Sequence, residues 1–253
     1  MALVITSTGA TYNYLRDPYA ISIGGLGTAW IAGGDCFCAV QLGAGGGVES
    51  LVTYLTVSSI NQPLGVAVDA SNNAWISSLP NTLTEVSSTG TVLSGSSRYT
   101  GGGLTAAGVM AIDPLGNIWV VNDGDNVVEF SNAGVVLSGA AGYPAGKTLD
   151  LNFFAFDPSG NGWFGDTSSS SGYAVKGVTE NTSSGTLVFT GTTISVGGGV
   201  AVDSLNDIWV ADYFGNDLVK LSDTGTVLSG PGGYTGGGLS DPSTAAIDGA
   251  GDV

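Results

Sequence analysis

The sequence predicts an all-β fold assembled from repeated four-stranded units, and three observations lead there. The five tryptophans, Trp30, Trp75, Trp119, Trp163 and Trp209, recur every 44 to 46 residues, a period that fits one supersecondary unit per repeat. Four of them end the same phrase: Ala67-Val68-Asp69 to Trp75, Ala111-Ile112-Asp113 to Trp119, Ala155-Phe156-Asp157 to Trp163, and Ala201-Val202-Asp203 to Trp209. A fifth, Ala246-Ile247-Asp248 to Val253, stops one residue before its tryptophan. Third, short apolar runs alternate with turn residues, and the 43 glycines fall mainly at repeat-fixed turns, which separates the chain from low-complexity disorder.

Residues 199–242 show the elements in order. Val200-Ala201-Val202 reads as a first strand, Asp203 to Asp207 as a turn, and Ile208-Trp209-Val210 as the second strand of a hairpin. The aspartate that ends the first strand can fold its carboxylate onto backbone N–H groups of the turn. Asp69, Asp113, Asp157, Asp203 and Asp248 are therefore assigned to architecture, not catalysis. Asp217-Leu218-Val219-Lys220-Leu221 reads as the third strand and Thr226-Val227-Leu228 as the outer one. The closing loop, Ser229 to Leu239, recurs as Ser94 to Leu104 and, altered, as Ser138 to Leu149. Its tyrosines, Tyr99, Tyr143 and Tyr234, are expected to anchor it against a neighbouring unit.

Four strands per unit in a radial array is the β-propeller pattern. Units at 18–62, 63–107, 108–151, 152–197 and 198–242 give five blades of a single domain. A sixth, incomplete blade is expected to be shared between 243–253 and 1–17, because Leu3 to Tyr12 resembles the third and fourth strands of a unit. Such closure hides sheet edges, whereas an unfinished blade leaves edges that a second copy can satisfy, so a homodimer through the terminal blade is expected. The first unit diverges most, with Ser22 read in place of the turn aspartate.

Charge narrows the partners. With 21 acidic and 5 basic residues the net charge is −16, which repels nucleic acid and anionic membranes. No run approaches the roughly 18 apolar residues of a membrane helix, and Met1 to Ile5 lacks the features of a signal peptide. Cys36 and Cys38 lie two apart, near the upper limit of reach for a disulfide on one strand, so a reduced pair is expected.

The phrase Ala-Val-Asp, a turn with Gly-Asn, Ile-Trp-Val, then Val-x-x-Leu-x-x-x-Gly resembles NHL-repeat propellers, above all the glycine-rich bacterial ones. The resemblance covers 63–253 well and 18–62 loosely, and it implies a secreted or extracellular bacterial setting. Related propellers include binding scaffolds, virginiamycin B lyase, and gluconolactonase- and paraoxonase-like hydrolases. The lyase resemblance would carry a catalytic histidine, and this chain has none; Ser-His-Asp and Cys-His chemistry fall with it.

The hydrolase resemblance implies calcium, or another divalent cation, held by oxygen ligands just before the innermost strands. Counting five residues back from each turn position gives Asp17, Leu64, Gly108, Asn152, Gly198 and Ser243. Asp17 and Asn152 are the oxygen ligands in that column, while calcium takes about six to eight. A second acidic set follows the second strands: Asp35, Asp123, Asp125, Asp166, Asp212 and Asp217. Two readings follow. The first is a binding module that presents its acidic channel face to a small molecule, glycan or protein. The other is a metal-assisted hydrolase of lactones, esters or phosphotriesters, with Asp17 and Asn152 as ligands and Asp212 or Asp166 as the base.

Overall fold

The computed structural model describes residues 3–7, 10–15, 18–33, 38–43, 60–122, 126–144, 151–166, 177–185, 187–190, 194 and 197–253. The chain divides into two compact units: Met1–Ile112, Gly116–Asn122 and Val128–Gly142 form one, and Asp113–Leu115, Asp123–Val127 and Tyr143–Val253 the other. Among the described residues no helix is long and apolar enough to cross a membrane.

The first unit holds β1 (Leu3–Ser7) and β2 (Ala10–Leu15), then β3 (Pro18–Ile23), β4 (Ala29–Gly33) and β5 (Cys38–Leu42). It continues with β6 (Pro63–Val68), β7 (Ala74–Ser78), β8 (Thr82–Val86), β9 (Ala107–Ile112), β10 (Ile118–Asn122) and most of β11 (Asn126–Phe130). The second unit holds β12 (Tyr143–Pro144), β13 (Leu151–Phe156), β14 (Gly162–Asp166), β15 (Gly177–Asn181) and β16 (Leu187–Thr190). A last sheet follows there: β17 (Gly197–Val202), β18 (Ile208–Asp212) and β19 (Asp217–Leu221).

Each repeat forms a meander in chain order: β3-β4-β5, β6-β7-β8, β9-β10-β11, β13-β14-β15-β16 and β17-β18-β19. The fourth strand is complete only as β16 among the described residues. Elsewhere it shrinks to one bridge, at Val86↔Val92, Phe130↔Val136 and Leu221↔Val227. Short outer strands expose few unpaired backbone groups, which blunts the edge.

The core lies between repeats, because one thin meander cannot bury its own apolar face. Trp30 packs with Val66, Ile76 and Val86 of the next repeat. Trp75 packs with Met110, Ile118, Val128 and Phe130, and Trp163 with Ile194, Val200, Ile208 and Val219. First strands of successive repeats accordingly run side by side, β3 by β6 by β9 in the first unit and β13 by β17 in the second.

The structure corrects three sequence expectations. Ser22 pairs with Trp30 and Ile23 with Ala29, as Ala67 pairs with Trp75 and Val68 with Ala74. The turn position of the first repeat is thus Gly24, not Ser22, and it makes the same turn bonds: Gly24 N–H to Thr28 O at 2.9 Å and Gly27 N–H to Gly24 O at 2.8 Å. No strand is assigned at Ala246, the place of the expected inner strand; the segment follows β17 with Gly199 N–H bonded to Ser243 O at 2.9 Å and makes the repeat's turn bonds, Asp248 N–H to Asp252 O at 2.9 Å and Gly251 N–H to Asp248 O at 3.0 Å. Cys38 is disulfide-bonded, not reduced; Cys36 lies outside the described residues. The β1–β2 hairpin has two strands as expected, but it pairs from Leu3↔Leu15 to Ser7↔Ala10 instead of through the single bridge of the repeats.

Candidate functional site

Each first strand begins with a register shift against its second strand, between Pro18 and Ala20, Pro63 and Gly65, Leu151 and Phe153, and Gly197 and Val200. In the third repeat the same shift falls between Ala107 and Met110, where two residues of β9 stand opposite Val121 of β10. The extra residue is Tyr19 in the first repeat, Leu64 in the second and Asn152 in the fourth. The ligand column counted from the sequence therefore falls on recurrent β-bulges, which re-aim the chain at sheet ends. In the first repeat the shift of the turn from Ser22 to Gly24 moves the column by two, so Tyr19 occupies it, and Asp17 lies outside the described residues.

The bulge also marks where neighbouring first strands press together. A Cβ on Gly65 would sit 2.7 Å from Gly108 O, and one on Gly198 would sit 2.8 Å from Ser243 O. Glycine is needed there for backbone approach, and at Gly108 and Gly198 the column offers no side-chain oxygen.

Opposite the bulges lie the ends of the second strands. Asp166 pairs with Leu151, beside Asn152, and Asp212 pairs with Gly197, beside Gly198. By backbone position the second unit thus brings Asn152, Asp166 and Asp212 to corresponding ends of adjacent sheets. Asp35, Asp123 and Asp125 lie outside the described residues.

Asp212 is buried, 3% exposed, and its Oδ1 accepts the Gly215 N–H at 3.0 Å. A Cβ on Gly215 would fall 2.6 Å from the same carboxylate. Asp212 also faces Asp217 directly across the β18–β19 pair, and like charges in that position repel. Asp217 is buried, and its Oδ1 has no hydrogen-bond partner. Burial and the neighbouring Asp212 carboxylate push the Asp217 carboxyl upward from its ordinary value.

The loop joining the two strands carries Tyr213 and Phe214, 37% and 57% exposed, edge to face at 5.1 Å. Asn216 in the same loop takes φ 57° and accepts the Asp241 N–H on its Oδ1 at 2.8 Å. Two buried carboxylates at strand ends joined by a loop with an exposed aromatic pair can accept hydrogen bonds or hold positive charge, and an exposed ring can stack on a ligand. Sequence reasoning singled out the acids and missed the aromatics, which only the loop's exposure reveals. The corresponding residue of the third repeat, Asn122, is structural: its Oδ1 accepts the N–H groups of Thr105 and Ala106 at 2.7 and 2.9 Å.

Among the described residues no group of three or more His, Cys, Asp or Glu is placed to hold a metal. The closing-loop tyrosines are anchors: Tyr99 stacks on Trp75 and Tyr234 on Trp209, each at 5.3 Å.

No family model and no curated protein sequence matches the chain. Solved structures do. Virginiamycin B lyase of Staphylococcus aureus is 16% identical over 84% of this chain and 69% of its own, with a TM-score of 0.67. A catalytically inactive histidine-to-alanine form of that lyase with quinupristin is 13% identical over 88% and 74%, TM-score 0.68. A nidogen/laminin complex is 11% identical over 95% and 92%, TM-score 0.58. These likenesses establish the fold: the chain is an all-β protein of the β-propeller class, in line with its NHL-type repeats.

Proposed function

We propose that this NHL-type propeller is a ligand-binding module that takes a small polar molecule or glycan at the sheet ends carrying Asp212, Asp217 and the Tyr213–Phe214 loop. The observation that carries the reading is the unpartnered buried oxygen of Asp217, at the start of the strand that follows the exposed Tyr213–Phe214 loop. A hydroxyl or ammonium donor would satisfy that oxygen, and the rings would cover an apolar ligand face. The inactive lyase form has lost a histidine and this chain contains none, so the lyase reaction is not part of the reading. In the same reading the ring has six blades and closes through 243–253 and 1–17, and an unfinished terminal blade offers edges to a second copy.

Calorimetric titration of mono- and oligosaccharides, polyols and organic cations tests it. Binding weakened about tenfold or more by Phe214→Ala and by Asp217→Asn, in variants that keep their melting temperature, is the expected result. No binding across the panel, or binding indifferent to both changes, removes the reading. Turnover of esters, lactones or phosphotriesters that a chelator abolishes, and that Asp17→Ala or Asn152→Ala removes, would instead establish the metal-assisted hydrolase, with Asp212 or Asp166 as its base.

A further inference from the structure

The loop that joins β18 to β19 is pinned along its length. Asn216 N–H bonds Asp212 O at 3.0 Å and closes it, while Gly215 N–H bonds Asp212 Oδ1 at 3.0 Å. Asn216 turns through φ 57°, and its Oδ1 takes the Asp241 N–H at 2.8 Å. Gly215 lies so close on the Asp212 carboxylate, 2.6 Å from an added Cβ, that a side chain there would have to displace it. A loop held in this way does not turn its side chains inward. Tyr213 and Phe214 stand out of it, edge to face at 5.1 Å and 81°.

Their exposure belongs to the loop. In the second repeat the corresponding connection, Leu79 to Asn81, joins β7 to β8 with the first strand of the third repeat packed beside it, and Pro80 and Asn81 are still exposed. The apex of this connection therefore stands clear of a following repeat. What is particular to the last repeat is that aromatic rings occupy it. Rings in water forgo the gain of burial, and a rigid loop that holds them there loses little further freedom to a ligand.

The field at the base of the loop is negative. Asp212 and Asp217 end the two strands opposite one another, both are buried, and Asp217 Oδ1 has no donor. Among the described residues of this unit the basic one is Lys220, which is tied to Asp203 and Asp207 at the other end of the hairpin. At 3% and 9% exposure the two carboxylates can meet one donor but not the row of hydroxyl bonds that holds a sugar. Their charge still acts across the protein, where it is screened less than in water. The faces of the rings are negative as well. Both features attract a cation, and neither selects an anion or an uncharged ligand.

Resting on the binding reading above and narrowing it, we propose that the ligand is a small alkylammonium cation lying on the face of Phe214 and held by the charge of Asp212 and Asp217. Phe214 is the more exposed of the two aromatic residues, and Tyr213 beside it supplies a side wall. Attraction between a cation and an aromatic face of this kind needs no hydrogen-bond acceptor at the surface.

Calorimetric titration with choline and with 3,3-dimethyl-1-butanol tests the proposal, because the two share their shape and hydroxyl and differ in charge. Methyl glucoside serves as the saccharide arm. Choline should bind about tenfold or more tightly than its uncharged counterpart, and more weakly as salt rises from about 0.05 to 0.5 M. Phe214→Leu keeps apolar bulk but removes the ring face, so it should weaken choline about tenfold or more, whereas Phe214→Trp should keep or tighten it. Asp217→Asn should weaken choline and flatten its salt dependence. The Phe214 variants should melt with the parent protein, because that side chain is exposed. Equal binding of choline and dimethylbutanol overturns the proposal, as does choline binding that survives Phe214→Leu. Methyl glucoside binding that Phe214→Leu abolishes, with no binding of choline, overturns it and leaves the broader binding reading standing. No binding by any of the three or by the wider panel removes both.

Discussion

The aspartate that ends each first strand does more than cap a turn. Asp203 accepts the N–H groups of Leu205 and Asp207, each at 2.9 Å, and the Trp209 indole N–H at 3.0 Å. Asp69 repeats this with Ser71, Asn73 and Trp75 at 2.8, 2.9 and 3.1 Å. One carboxylate thus holds the hairpin and satisfies an indole N–H, of a fully buried ring at Trp75 and a half-buried one at Trp209. The first repeat is the control, for Gly24 stands at this position and the buried Trp30 Nε1 has no partner. Asp69→Ala strands three donors, and at about 1 kcal/mol each or more it should lower stability by about 2–4 kcal/mol in urea unfolding. Burial pushes the Asp203 carboxyl up, but the Trp209, Asp207, Lys220 and Leu205 bonds outweigh it and hold the group at about 2. A folded value below the ordinary 3.8 means that this contribution is present above about pH 4 and lost as pH falls toward 2. Acid unfolding monitored by tryptophan fluorescence should show Asp203→Asn removing part of that pH dependence. The last repeat also reverses a polarity. Glu85 accepts Asn73 Nδ2 at 3.1 Å and the Tyr99 hydroxyl at 3.0 Å, whereas Lys220 in the same register pairs with Asp203 and Asp207 at 3.1 and 2.7 Å and lies over Trp209. Lys220→Glu should destabilise strongly, and adding Asp207→Asn should recover much of the loss; additive effects of the two changes in a double-mutant cycle would refute the pairing. The aspartate column was legible because it repeats. Its bond to tryptophan six residues on was not, since only the hairpin register brings the two together.

Glycines at the fourth-strand turns show how neighbouring elements lock. The ring of Tyr99 lies on Gly134 in the first unit, and that of Tyr143 lies on Gly185 in the second, so a closing loop clasps the turn of the following repeat. Both glycines take φ 75°. Gly116, at φ 86°, has open space around it. Alanine at Gly116 therefore meets only the backbone cost of a left-handed residue, about 1–2 kcal/mol. Alanine at Gly134 adds a collision with the Tyr99 ring, an overpacking cost of about 1–3 kcal/mol more. Thermal melts of the two variants should rank Gly134→Ala as clearly the less stable, and equal melting would mean that Tyr99 does not clasp the turn. The anchoring tyrosines could be read from the recurring loop, because one residue type kept one place in it. The bulges could not, since an extra residue in a strand leaves no mark in an apolar pattern. The candidate ligand column is out by two in the first repeat for a different reason, the turn at Gly24 in place of Ser22, so that Tyr19 and not Asp17 holds the bulge.

For the molecule as a whole, 21 acidic residues against 5 basic ones make self-repulsion an opposing term in folding. Much of this charge is already committed: Asp203 and Asp207 meet Lys220, and Asp69, Asp157 and Asp248 hold turn N–H groups. Asp212 and Asp217 face each other across β18 and β19 and repel, so repulsion is felt at that sheet end. Monovalent salt should therefore raise the melting temperature, with most of the gain complete by about 0.1–0.2 M, where the screening length falls to roughly 8–10 Å. Calcium separates diffuse screening from a site. At matched ionic strength a general acidic surface gives equal melting in calcium chloride and sodium chloride. A site that binds the ion only in the folded state adds stability as RT ln(1 + [L]/Kd), about 2.7 kcal/mol at a hundredfold excess over Kd. A calcium increment lost in Asp217→Asn would place the cation at the β18–β19 end. An increment lost only in Asn152→Ala would place it at the bulge column, as the hydrolase resemblance implies. Identical curves in the two salts would leave the acidic residues as fold and solubility charge, and the Tyr213–Phe214 loop would then have to bind its ligand without a metal.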